Sequence, residues 1–189
     1  MAKTRWAVIY SSITGNTKKI AEAIAEESGA DIFSVKDAPE DVSGYDVVAA
    51  GYWIRRGQPD PQMEAYLPKI HGTKVCFFQT HGTAPESEHA VTAFARAGYM
   101  LGSGNEVLGT FACRGKINPA MKQRPELKDP KDPHTGPAAQ ERWRLAAEHP
   151  DEKDVANAKA FVRAMEHKLD LKAKFLARMA AKKAGAIKK

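Results

Sequence analysis

Cysteine is scarce in this chain: Cys76 and Cys113 are the two among 189 residues. Two cysteines make no disulfide framework, and neither stands beside a His or a second Cys at metal-ligand spacing. Both fall in apolar, strand-like runs, which predicts buried thiols in a reducing compartment. No apolar run approaches the ~18 residues of a membrane-spanning helix. The chain enters its first strand at once, so no signal peptide is expected and a cytoplasmic, soluble protein is. Also missing are the Gly-x-x-x-x-Gly-Lys-Ser/Thr and Gly-x-Gly-x-x-Gly strings, a Gly-x-Ser-x-Gly elbow and a plausible Cys–His pair. Those absences argue against nucleoside triphosphate chemistry, a dinucleotide fingerprint and covalent hydrolysis. Internal repeats are lacking too.

An excess of positive charge is missing from most of the chain, although the net charge is +6. Residues 168–189 hold eight Lys or Arg against Asp170 alone, so that segment accounts for the whole excess. The body is slightly acidic, and nothing in it calls for nucleic acid.

The stretch around which the rest is organised runs from Val8 to Thr17. Residues 6–10 are an apolar run that reads as a buried strand. Ser11, Ser12, Ile13, Thr14, Gly15, Asn16 and Thr17 form a polar turn. Residues 18–27 then place Ile20, Ala21, Ala23, Ile24 and Ala25 at helical spacing. A strand, a tight turn and a helix leave backbone N–H groups unpaired at the positive end of the helix dipole. That is an anion site. Ser12, Thr14 and Thr17 add hydroxyls, and Gly15 lets the backbone close on an oxyanion. Lys18 and Lys19 lie past the turn, so the cradle is neutral and suits a terminal phosphate monoester. A well-capped turn with no ligand would use the same residue types.

The remaining chain alternates strands with helices. Strands are expected at 31–35, 46–51, 74–79 and 106–113, and helices at 62–70, 86–100, 137–148 and 155–165. In the helix at 86–100, Val91, Phe94, Ala95 and Ala97 should face inward; at 155–165, Ala156, Phe161, Val162 and Met165 should. Five such strands predict an α/β fold: a doubly wound parallel sheet of order 2-1-3-4-5 with helices on both faces. Ligands bind outside the carboxyl ends of such sheets, at the switch point between strands 1 and 3. The turn at 11–17 follows strand 1. A loop at 52–59 follows strand 3, with Tyr52, Trp53, Ile54, Arg55, Arg56 and Gly57. A loop at 80–85 follows strand 4, with Thr80, His81, Gly82 and Thr83. All three should therefore meet at one rim. Aromatics in the second loop either line a ligand surface or close the core; Gly51 and Gly57 would let the backbone approach a flat ligand. His81 either tunes a redox group with pH or faces solvent. Residues 118–136 are rich in Pro and Lys and read as a loop with no internal helix or strand, able to lap over the rim or to lie on the surface. No metal site is expected.

The turn at 11–17, the Gly-x-Trp loop, the Thr-x-Gly loop and the ending Gly109-Thr110-Phe111-Ala112-Cys113-Arg114-Gly115 resemble the flavodoxin family, in a bacterial branch, over residues 4–165. The resemblance implies a flavodoxin-like fold with non-covalent FMN. It places the phosphate on Ser12, Ile13, Thr14, Gly15, Asn16 and Thr17. The ring falls between Tyr52, Trp53, Ile54 and Gly57 on one side and Thr80, His81, Gly82 and Thr83 on the other. It further implies electron transfer to a redox partner protein. Two features depart from the family: Arg55 and Arg56 stand where acidic residues are usual, and a basic tail follows the last sheet-covering helix. A domain at 1–167 followed by an extension at 168–189 is therefore expected. Three functions remain open: an FMN electron carrier, an FMN oxidoreductase of quinone or porphyrinogen type, and a flavin-less interaction module. The tail either docks an acidic partner or an anionic membrane surface, or is a solvated helix.

Overall fold

The computed structural model describes residues 3–123 and 135–187. In chain order they form β1 (Trp6–Tyr10), α1 (Asn16–Ser28), β2 (Asp31–Ser34), β3 (Val47–Arg55), β4 (Gln58–Pro59), α2 (Pro61–Tyr66), β5 (Lys74–His81), α3 (Glu88–Met100), β6 (Glu106–Arg114), α4 (Gly136–Ala146) and α5 (Glu152–Ile187). The sheet order is β2-β1-β3-β5-β6, with every one of those pairs parallel. This is the expected doubly wound arrangement. The added strand, β4, pairs antiparallel with the end of β3.

The sheet divides two cores. On one face Trp6, Val8 and Phe78 pack against Ile20 and Ile24 of α1 and Ala158 and Val162 of α5. On the other, Ile9, Val48, Tyr52 and Phe77 meet Met63, Leu67 and Ala97. Strands β3 and β5 are covered on both sides, hence their unbroken apolar runs. β2 sits at an edge and is only partly covered, which suits its short, mixed sequence.

Several details differ from the sequence reading. In α3 the buried residues are Ala90, Ala93 and Ala97, while Val91 and Ala95 are exposed. Small residues let that helix sit close to the sheet, and this phase turns Val91 outward. In α5 Ala158 replaces Ala156 on the inner face for the same reason of phase. A short 3₁₀ turn, Pro119–Gln123, opens the segment read as an unstructured loop; residues 124–134 lie outside the described residues.

α5 runs unbroken for 36 residues, about 54 Å at the α-helical rise. Lys168 donates to the Leu108 carbonyl and Lys172 pairs with Glu106. Leu171 between them and Phe175, Leu176 and Met179 beyond them are exposed. No helix among the described residues is long and apolar enough to cross a membrane.

Candidate functional site at the carboxyl rim of the sheet

The turn after β1 is built as an open helix end. Gly15 is the N-cap of α1 with φ 88° and no side-chain cap bond. That left-handed conformation favours glycine. A Cβ at Gly15 would meet nothing within 4 Å, so the turn faces open space. The first bond into the helix is from the Lys19 N–H to the Gly15 carbonyl, 2.9 Å. Helix geometry leaves the amides of Asn16, Thr17 and Lys18 without an intrahelical acceptor. No acidic side chain occupies the first turn of α1. Lys19 is drawn away to the Pro150 carbonyl and Glu152, and Lys18 to Glu22. The open end of the helix is therefore lined by neutral groups. The Ser12 hydroxyl accepts from the Gly15 amide at 3.1 Å, while Ile13 is 65 % exposed at the tip.

Hydrogen bonds tie this turn to the ends of the other strands. Thr17 and Thr80 share a buried hydroxyl bond of 2.9 Å. The Asn16 side-chain amide donates to the Lys116 carbonyl, 2.8 Å. The Gly115 amide donates to the His81 carbonyl, 2.9 Å. Ile117 lies over Gly82, where an added Cβ would come within 2.1 Å of Cδ1. The turn after β1 and the ends of β5 and β6 therefore meet at one rim.

The Trp-containing segment is not a loop. β3 continues to Arg55 and turns back through Arg56 and Gly57 into β4. Both turn residues have positive φ, 53° and 78°, the signature of a tight two-residue hairpin. Side chains alternate along a strand, so Trp53 shares a face with Val47 and Ala49, which pack toward α1 and α5. Its register partner is Thr80, itself bonded to Thr17. Trp53 is half-buried, and its Nε1 is sealed from solvent with no hydrogen-bond partner among the described residues. That N–H is a donor in need of an acceptor.

Tyr52 faces the opposite way. Fully buried, it packs edge-on against Phe77 and Phe94 and donates to the Ala93 carbonyl at 3.4 Å. Its side chain is core and does not reach the rim. The two glycines serve packing as well. Gly51 lies under the Phe78 ring, and Gly57 is buried beneath Arg96 and His89. Ile54 is half-buried at the start of the hairpin.

Thr80 and His81 belong to β5 rather than to the loop after it. His81 is 8 % exposed, not solvent-facing. Its Nδ1 is 2.9 Å from the Thr83 hydroxyl, and Nε2 is buried without a partner. Burial first, then the neighbouring His89, and more weakly Arg114, push its pKa down to about 4. The ring is neutral at physiological pH. Gly82 and Thr83 are half-buried beside it.

Asp60 escaped the sequence reading. It is the N-cap of α2 and 1 % exposed. Its Oδ1 accepts from the Ser11 hydroxyl at 2.8 Å and from the amides of Gln62 and Met63. Its Oδ2 is buried without a bonded partner, although the Trp53 backbone lies close enough to favour the carboxylate. Burial pushes its pKa up against these hydrogen bonds. The signal was present: Asp followed by Pro is a helix start. Asp60 joins the β1 turn to the hairpin. Asp60→Ala removes a cap and leaves Ser11 unpaired, so a loss of about 2 kcal/mol is expected. Urea unfolding at constant slope measures it; an unchanged midpoint would show the network to be idle.

Both thiols are buried, and burial pushes the Cys76 pKa up to about 12. His149, Asp151 and Asp154 place ligand atoms within 4.8 Å of one another, a cluster that sequence spacing missed. Those groups cap α5: the Asp151 and Asp154 side chains accept each other's amides, and His149 Nδ1 bonds Asp154.

A family model described as a flavodoxin domain matches residues 7–163. The flavodoxin-like domain-containing protein BilS of Clostridioides difficile (strain CD3) is 31 % identical over 84 % of this chain and 94 % of its own length. An uncharacterized protein of Methanocaldococcus jannaschii is 30 % identical over 84 % of this chain and 95 % of its own. In fold, the chain resembles oxidised flavodoxin 2 of Bacillus cereus, with a TM-score of 0.56, 18 % identity and coverage of 87 % and 99 % of the two chains.

Proposed function

This chain belongs to the flavodoxin family, and from that premise we propose that it binds FMN at the carboxyl rim and passes electrons to or from a partner protein. One observation carries the reading. The open, acid-free end of α1 stands beside an unpartnered Trp53 Nε1 on the same face of the sheet. A phosphate and a flat heteroaromatic ring supply acceptors for both. The amides of Asn16, Thr17 and Lys18 and the Ser12 and Thr14 hydroxyls would hold the phosphate. Trp53, Ile54, Gly82 and Thr83 would border the ring. FMN would supply reversible one- and two-electron chemistry there. The chain would bind it, orient it and exclude water.

A carrier is favoured over an oxidoreductase by the titratable groups at the rim. His81 and Asp60 are buried and engaged with Thr83 and Ser11. Neither is placed as an open acid or base for a substrate.

Absorbance of the FMN-loaded chain tests the cofactor; a chain that stays colourless with excess FMN overturns the reading. The cradle has its own test. Thr14 is exposed, so Thr14→Ala should leave the fold intact. Losing a hydroxyl bonded to a phosphate costs about 1.5–3 kcal/mol, so FMN should bind at least about tenfold more weakly. Riboflavin, which lacks the phosphate, should bind as before. Equal losses for both would place the phosphate elsewhere.

A further inference from the structure

We infer that the end of α5 lies on an anionic phospholipid surface and tethers the domain there, with the carboxyl rim turned outward. The tether does not need the cofactor. α5 starts beside the candidate site: the Pro150 carbonyl accepts from Lys19, and the His149 carbonyl accepts from the Lys116 amide. The helix then runs back along the sheet. Glu166 accepts from the Trp6 indole and Lys172 reaches Glu106, so α5 passes the first residues of β1 and β6. Residues 173–187 continue past that edge for about 22 Å. They project from the end of the sheet opposite the α1 turn.

Leu171, Phe175, Leu176 and Met179 are 50–61 % exposed. At helical spacing they fall within an arc of about 140°. Arg178, Lys182 and Lys183 rise from the same half of the helix. All three are exposed and form no ion pair with a described residue. The other half carries Ala173, Ala177, Ala180, Ala181 and the Lys174–Asp170 pair. A helix suited only to water turns its charges away from its apolar stripe. Here both face one way, which fits a surface that is apolar inside and anionic at its boundary. A phospholipid layer is built so. Phe175, Leu176 and Met179 would enter its interface while the long basic side chains reach its phosphates. Nearby acids do not cancel the charge. Asp170 and Glu106 are held by Lys174 and Lys172, and Glu166 by Trp6 and Thr4. Along the sheet edge the exposed Asp31 and Asp46 are matched by Lys3 and Arg5. Eight cations against Asp170 in residues 168–189 therefore leave the tail strongly positive. A second copy of the chain fits this face less well. Both rows that could form a coiled-coil seam are broken twice, one by Lys172 and Lys183 and the other by Arg178 and Lys182. Charge complementarity commits the occupant to an anionic lipid surface.

The test sediments the full-length chain with vesicles. Vesicles of mixed phosphatidylglycerol and phosphatidylcholine should carry it down; vesicles of phosphatidylcholine alone should not. Arg178→Gln/Lys182→Gln/Lys183→Gln should weaken that binding by about a hundredfold, about fivefold for each cation. Phe175→Ser/Leu176→Ser keeps the charge and should weaken it by about tenfold. Both variants change only exposed side chains, so their melting temperatures should match the parent's. Lys36→Gln/Arg55→Gln/Arg56→Gln removes as much charge from the domain and should change binding by less than about threefold. Equal losses in the two charge variants would reduce the effect to net charge and overturn the inference. So would full binding by Phe175→Ser/Leu176→Ser. Dimerisation lost in that variant, without vesicle binding, would assign the face to a second copy and overturn the inference. Capture by immobilised polyglutamate but not by vesicles would assign the tail to an acidic protein and overturn it too. FMN should bind the vesicle-held chain as tightly as the free one; weaker binding would overturn the outward placement of the rim. If FMN binds neither, the cofactor reading falls and the tether stands.

Discussion

Gly51→Ala is expected to destabilise the chain by about 3 kcal/mol, more than a hundredfold in the ratio of folded to unfolded molecules. The reason is a single close approach. Gly51 lies in β3 between Tyr10 of β1 and Phe78 of β5. A Cβ there would sit 1.9 Å from Cζ of Phe78 and 2.1 Å from Cε2. Phe78 is fully buried and packed in the α1 and α5 core, so its ring has no solvent to swing into. Backbone movement is opposed too, since the Gly51 carbonyl accepts from the Ser11 amide at 2.8 Å. That bond sets where the α1 turn begins, so the same variant should disturb the rim. Phe78→Leu should recover part of the loss in the double variant, because the two residues touch. Chemical unfolding of the four proteins measures both effects. A Gly51→Ala chain as stable as its parent would mean that the Phe78 ring does not lie over Gly51.

The second large effect is a loss of stability in mild acid. His81 is held neutral, with its pKa lowered from 6.5 to about 4. As pH falls below 6.5 the unfolded chain takes up a proton at this site and the folded chain does not. Stability therefore falls with pH across the window from 6.5 to about 4. At 1.36 kcal/mol per pH unit the full loss is about 3 kcal/mol. Of the groups around His81, His89 and Arg114 reinforce the direction, while the hydrogen bond to Thr83 opposes it without reversing it. Unfolding free energies measured from pH 7 to pH 4 should show this slope. His81→Gln should flatten it. Parallel slopes for the two chains would mean that His81 is accessible and protonates in the folded state.

Much of the rim was readable because it depends on local chemistry. The Ser-Ser-Ile-Thr-Gly-Asn-Thr turn combines capping residues with the one residue suited to a positive φ, and it folds as read. Convergence of the three segments followed from topology alone. The hairpin was misread because Tyr52, Trp53, Ile54 and Arg55 lack a clean alternation. One side of this short ribbon enters the core and the other reaches the rim, so no period survives. His81 was misplaced for a related reason. Strand β5 ends beneath Gly115, Ile117 and α3, and that cover comes from far along the chain. Asp60 was missed because its importance lies in Ser11, 49 residues away.

The chain's own pattern of apolar runs, turn residues and helical spacing was enough to determine the parallel sheet, the open neutral turn before α1 and the rim to which it belongs. These features rest on short-range sterics and periodicity, which any stretch of sequence carries within itself. Only the tertiary structure decided that Tyr52 is core while Trp53 is half-buried on the opposite face of the sheet, and that His81 is buried and neutral. Burial and charge pairing are set by residues distant in sequence, so they exist only once the elements have packed.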